Sequence, residues 1–114
     1  MDVTHLFAGV RVRRIGDARG WYERLLGQEP AFFPHDAEAV WALGQDRWLY
    51  LLEDEARAGG ALVTLMVADL DGTVDAIRGR GLEPTDLEEH DGARKYAFHD
   101  PDGNEIGIGQ VPVT

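Results

Sequence analysis

Asp100-Pro101-Asp102-Gly103-Asn104-Glu105-Ile106-Gly107-Ile108-Gly109 is the stretch whose reading decides the fold. Its first half is a turn with a mechanism. Pro101 presets φ, Asp102 and Asn104 tolerate turn conformations, and Gly103 supplies a positive φ without steric cost. Its second half alternates, with Ile106 and Ile108 on one face of a strand and Gly107 and Gly109 on the other. The segment therefore predicts the closing hairpin of a sheet.

Working outward, the chain repeats itself. Val10-Arg11-Val12-Arg13-Arg14-Ile15 aligns with Leu65-Met66-Val67-Ala68-Asp69-Leu70, 55 positions later. Each is a short strand running into a helix. In the first helix Ala18, Trp21, Tyr22, Leu25 and Leu26 share one face. Gly27-Gln28-Glu29-Pro30 and Gly81-Leu82-Glu83-Pro84 then end the two helices alike: Gly serves as C-cap, and Pro three residues on prevents resumption. Strand-like segments follow each Pro. They are Ala31–Phe33, Ala39–Leu43 and Trp48–Leu52 in the first half, and Thr85–Leu87, Arg94–His99 and Glu105–Gly109 in the second. Glu88 to Asp91 reads as a solvated loop. Residues 1–114 thus form one α+β domain of two βαβββ modules, at 4–53 and 61–111, joined by a charged, Gly-rich linker at 54–60.

Composition bounds the function. With 21 acidic against 11 basic residues, the formal net charge is −10, the wrong sign for phosphate backbones or anionic membrane surfaces. Without Cys there is neither a disulfide framework nor thiolate chemistry. The N-terminus lacks a basic segment followed by an apolar one, and no apolar run approaches membrane-spanning length, so a cytoplasmic protein is expected. No P-loop, Gly-x-Gly-x-x-Gly, nucleophile elbow or Cys/His pair is present.

The repeat and the Asp-Pro-Asp-Gly-Asn hairpin together resemble the vicinal oxygen chelate superfamily, which includes glyoxalase I, bleomycin-resistance proteins and extradiol dioxygenases. The resemblance covers about residues 5–110. It implies two modules whose sheets curl around a shared concave cavity, and commonly a homodimer. In metal-using members, ligands from four strands converge on one ion. The corresponding positions here are Phe7, Leu62, Gly107 and one near Leu49 or Tyr50. Phe, Leu and Gly cannot ligate a divalent cation. No metal and no other cofactor is expected, although His5 and Glu105 share faces with Phe7 and Gly107 and define a displaced alternative.

Strand parity assigns the cavity lining. Ala8, Val10 and Val12 should face the first helix, leaving Phe7, Gly9 and Arg11 for the cavity. Val63, Leu65 and Val67 should face the second helix, leaving Leu62, Thr64 and Met66. Gly107 and Gly109 mark a close approach, either by a ligand or by neighbouring side chains. Trp41, Trp48 and Tyr50 are expected as an aromatic wall, which suits a planar or hydrophobic ligand. Arg11 either meets a ligand carboxylate or phenolate, or pairs with an internal acid.

The expected function is metal-free binding of a hydrophobic or aromatic metabolite or antibiotic, in the manner of bleomycin-resistance-type members. No catalytic set stands out. An enzyme of the same superfamily, a lyase, isomerase or dioxygenase relative drawing on His5, Glu105, Tyr50 and Arg11, is the first rival. A dimeric structural or regulatory module with a filled cavity is the second.

Overall fold

The computed structural model describes residues 1–112. Strand β1 (Leu6–Val12), helix α1 (Ile15–Leu26) and strands β2 (Phe32–His35), β3 (Glu38–Gly44) and β4 (Arg47–Glu53) form the first module. A single 3-10 turn, Glu55–Arg57, interrupts the linker. The second module repeats the order with β5 (Leu62–Met66), α2 (Leu70–Gly79), β6 (Asp86–His90), β7 (Ala93–His99) and β8 (Glu105–Gln110). Each module makes one four-stranded mixed sheet, ordered β1-β4-β3-β2 and β5-β8-β7-β6. The first strand pairs in parallel with the last, and the others are antiparallel.

Both helices form for the reasons their sequences give. Ala18, Trp21, Tyr22 and Leu25 make the buried stripe of α1; Leu70, Val74 and Ile77 make that of α2. Gly27 ends α1 at φ 72°, its N–H bonded to the Glu23 carbonyl. A Cβ built on Gly27 would also stand 3.0 Å from the Arg80 guanidinium carbon. Arg80 donates to the Arg24 and Leu25 carbonyls, so a cation from the second module caps the negative end of the first helix.

The helix faces of the two sheets share a single core. Val10, Val12, Leu49 and Trp41 of the first module join Leu70, Ile77, Phe98 and Ile106 of the second in one buried cluster. A polar seam completes the joint. The Tyr22 hydroxyl donates to Asp100 Oδ2 at 2.7 Å, and the Asn104 side-chain amide donates to Asp100 and to the Arg11 carbonyl. Asn104 Oδ1 accepts the Ala61 N–H, and Asp102 accepts the Arg13 N–H. Asp100 Oδ1 takes the N–H groups of Asp102 and Asn104.

This packing corrects one expectation. The sheets are not closed around a shared cavity within one chain. Their helix sides meet, and the opposite faces stay open: Phe7, Leu62 and Met66 are 52%, 68% and 53% exposed. The expected loop at Glu88–Asp91 is also revised. Glu88–His90 completes the exposed edge strand β6, and the turn begins at Asp91, with Asp91 and Gly92 at φ 50° and 81°. Pairing with β7 over Glu88↔Lys95 and Glu89↔Arg94 lets opposite charges face each other, so the acidic run does not prevent a strand. Among the described residues no helix is long and apolar enough to cross a membrane.

Candidate functional site

The open face of the first sheet is aromatic. β1 and β4 pair with Phe7 beside Trp48 and Gly9 beside Tyr50, which puts all four on one side. The Phe7 and Trp48 rings stack, centroids 5.7 Å apart and planes at 9°, and Phe32 from β2 meets Trp48 edge-on at 6.3 Å. Offset stacks and edge contacts are the favoured aromatic geometries. The Trp48 indole nitrogen is buried and has no hydrogen-bond acceptor among the described residues. Tyr50 lies across Gly9: a Cβ built there would stand 2.6 Å from the Tyr50 ring. Arg11 follows on the same face, and its guanidinium pairs with Asp54 at 3.2 Å. The Arg11 side chain stays about half exposed in this pair.

Trp41 does not belong to this wall. Its side chain is fully buried on the helix side, 6.1 Å from Tyr22, with its indole N–H donating to the Gln28 carbonyl. Ala39, Val40 and Trp41 are all buried, so alternation alone does not tell the faces of β3 apart.

The open face of the second sheet is mixed. The register sets Leu62, Thr64 and Met66 beside Glu105, Gly107 and Gly109, with Lys95 and His99 on the next strand. Both glycines lie under side chains. A Cβ on Gly107 would meet the Lys95 arm at 2.8 Å, and one on Gly109 would meet the Met66 sulfur at 3.0 Å. Lys95 Nζ reaches Glu88 at 3.1 Å and Glu105 at 3.5 Å. The Glu88 hydrogen bond, opposed by partial desolvation and helped by the charges of Glu88 and Glu105, raises the Lys95 pKa and keeps it a cation. His99 contacts Glu105 at 3.4 Å and the Thr85 hydroxyl at 2.6 Å. A shallow pocket of about 260 Å³ opens beside this cluster, lined by Thr64, Met66, Glu88 and Lys95.

The residues do not fit a divalent metal ion. The register β1–β4 against β5–β8 makes Tyr50 the counterpart of Gly107, so the four strand positions are Phe7, Tyr50, Leu62 and Gly107. Glu105 is taken up by Lys95 and His99, while His5 pairs with Asp46 at 3.3 Å on an exposed strand end. The described residues contain no group of three or more His, Cys, Asp or Glu able to hold an ion.

Two features of the site are missing from the sequence reading. Phe32 joins the aromatic face because β2 pairs Phe32 with Val40, opposite Tyr50. Lys95 reaches over Gly107 because Lys95 pairs beside Gly109 on β8. The alternation of Lys95, Ala97 and His99 against Glu105, Gly107 and Gly109 carries that signal. It becomes readable only with the register in hand.

Comparison with known proteins agrees with this architecture. The family model of the Glyoxalase/Bleomycin resistance protein/Dioxygenase superfamily matches residues 3–108. A solved glyoxalase/bleomycin resistance protein from Catenulispora acidiphila is 47% identical, with TM-score 0.92 over 96% of this chain and 100% of that one. TnmS3, an antibiotic binding protein from a Streptomyces species, is 24% identical at TM-score 0.75, covering 99% of each chain. A bleomycin-binding protein solved with bleomycin is 20% identical at TM-score 0.77, over 96% of this chain and 99% of that one. These last two share the fold. No curated protein matches the chain.

Proposed function

The chain belongs to the glyoxalase/bleomycin resistance protein/dioxygenase superfamily, and we propose that it is a metal-independent binding protein for a planar, largely apolar small molecule. The observation that carries this reading is the open Phe7–Trp48–Phe32 face. Three rings already arranged for stacking lose little conformational freedom when a fourth joins them. Tyr50 borders the face, and Arg11 is held back by Asp54. The names of two structural neighbours, one an antibiotic binding protein and one bleomycin-binding, make glycopeptide and polycyclic antibiotics the first ligands to try.

Such a face needs a cover, and a second copy of the chain supplies it. Leu62 and Met66 are as open as Phe7, and a twofold pairing sets the second-sheet face of one copy over the aromatic face of the other. The reading therefore includes a homodimer, with Lys95, Glu105 and His99 as the polar side of the site.

Titration with bleomycin and a panel of planar antibiotics tests it, read by tryptophan fluorescence and calorimetry. Trp21 and Trp41 are buried, so quenching should report Trp48 and disappear in Trp48→Phe. Phe7→Ala should weaken binding about tenfold, the scale of one lost stacking contact. The ligand should be recovered chemically unchanged, and light scattering should give the mass of a dimer. A second reading, an enzyme of the same superfamily, draws on the Thr85–His99–Glu105 chain of contacts. Conversion of a ligand, abolished by Glu105→Gln, would favour it over the first. A monomer that binds no planar compound would sink the proposal.

A further inference from the structure

A larger cleft lies between the two modules and adjoins the open aromatic face at Trp48. It measures about 490 Å³, within the range of pockets that hold small molecules. Ala8, Leu25 and Leu43 of the first module and Val63, Leu65 and Ile77 of the second make it apolar. Arg47 and Trp48, at the start of β4, also line it.

Its charge is anomalous for this chain. Although 21 of 114 residues are acidic, not one of them lines the cleft. Arg47 donates through Nε to the Gln45 carbonyl and forms no ion pair among the described residues. An apolar cleft edged by a guanidinium with no acidic partner thus lacks one thing, an acceptor carrying negative charge.

We propose that this cleft is a second binding site, for an amphipathic monoanion with a hydrocarbon body and a single carboxylate head. The body takes the place of water against Leu25, Leu43, Leu65 and Ile77. The carboxylate pairs with Arg47, whose planar fork matches it in two parallel bonds. The field of a chain carrying −10 opposes any anion at long range, so capture depends on this contact. β1 and β5 are edge strands that flank the cleft, and a second copy laid along them is the competing occupant. Leu6–Val12 and Leu62–Met66 contain no acidic residue, so such a copy brings no carboxylate to Arg47.

The test is calorimetric titration of the purified chain with decanoate, with decanol and decyltrimethylammonium as head-group controls. Decanoate should bind once per chain, decanol more weakly, and the ammonium compound not at all. Arg47→Gln should weaken decanoate about tenfold and leave decanol unchanged. Arg47→Lys, which keeps the charge and removes the planar fork, should weaken decanoate less than Arg47→Gln. Equal binding of all three compounds, no binding of decanoate, or indifference to Arg47→Gln overturns the proposal. So does decanoate binding only as a dimer dissociates in light scattering, since a second copy then fills the cleft. Trp48 borders both sites, but Phe7 lines only the aromatic face, so Phe7→Ala should leave decanoate binding unchanged and keeps the two titrations distinguishable.

Discussion

Glycines on the open faces are seats for neighbouring side chains. Tyr50 lies over Gly9, Lys95 over Gly107 and Met66 over Gly109. Gly9→Ala should therefore force the stiff Tyr50 ring off its position and cost about 1–3 kcal/mol in denaturant unfolding, the usual price of overpacking. Gly107→Ala presses only on the flexible Lys95 arm and should cost less. Equal losses would contradict the seating. From the sequence, close approach at Gly107 and Gly109 was legible, but not what approaches, because that depends on register across a sheet. Trp41 shows the same limit. A ring flanked by Ala39 and Val40, both buried, has no alternation to betray its face.

At the scale of elements the repeat extends to a detail that propensity does not show. The Ile15 N–H at the start of α1 donates to the Glu53 carboxylate at 2.9 Å, and the Leu70 N–H at the start of α2 donates to Gln110 Oε1 at 2.9 Å. In both modules the last residue of the last strand reaches back to the first turn of the helix. Glu53→Ala and Gln110→Ala should each cost about 0.5–2 kcal/mol, the range of lost N-caps. The loss at Glu53 should be the larger and the more salt-sensitive, because its charge also meets the helix dipole. Thermal unfolding at low and high salt checks this. Strand, helix and Gly-x-Glu-Pro stop were readable because their signals are local. These caps span 38 and 40 residues, so no window of periodicity contains them. The exposed β2 and β6 were read short for a related reason: pairing with β3 and β7 makes them strands, and their own side chains bury nothing.

For the molecule as a whole, the Tyr22–Asp100–Asn104 seam governs how the two sheets sit together. Burial, then the Asp100 charge and hydrogen bond, raise the Tyr22 pKa far above its ordinary value near 10. The sign follows from linkage. The folded state holds the phenol protonated, so its contribution is complete below about pH 10 and is lost above it, where only the unfolded chain ionises, at about 1.4 kcal/mol per pH unit. Stability should stay nearly level up to about pH 9 and approach that slope above about pH 10, and Tyr22→Phe should flatten the fall. At neutral pH the same variant should cost about 1–3 kcal/mol, because Asp100 loses a buried donor. A slope unchanged by Tyr22→Phe would assign the alkaline loss to other groups. The two-module plan was legible in the chain. The side on which the modules join was not, since Tyr22 and Asp100 lie 78 positions apart and Asn104 and Arg11 lie 93 apart.

The Asp-Pro-Asp-Gly-Asn turn, first met as local punctuation, thus doubles as the fastener between the halves. This bears on how a two-module chain tolerates substitution. Residues of the second half that hold the first half's backbone answer to both halves at once, so one substitution in the seam disturbs both. The two open faces carry no such joint obligation. One is a panel of rings and the other a mixture of charged and apolar side chains, so a change on either face can alter what the chain touches without loosening the joint between its halves.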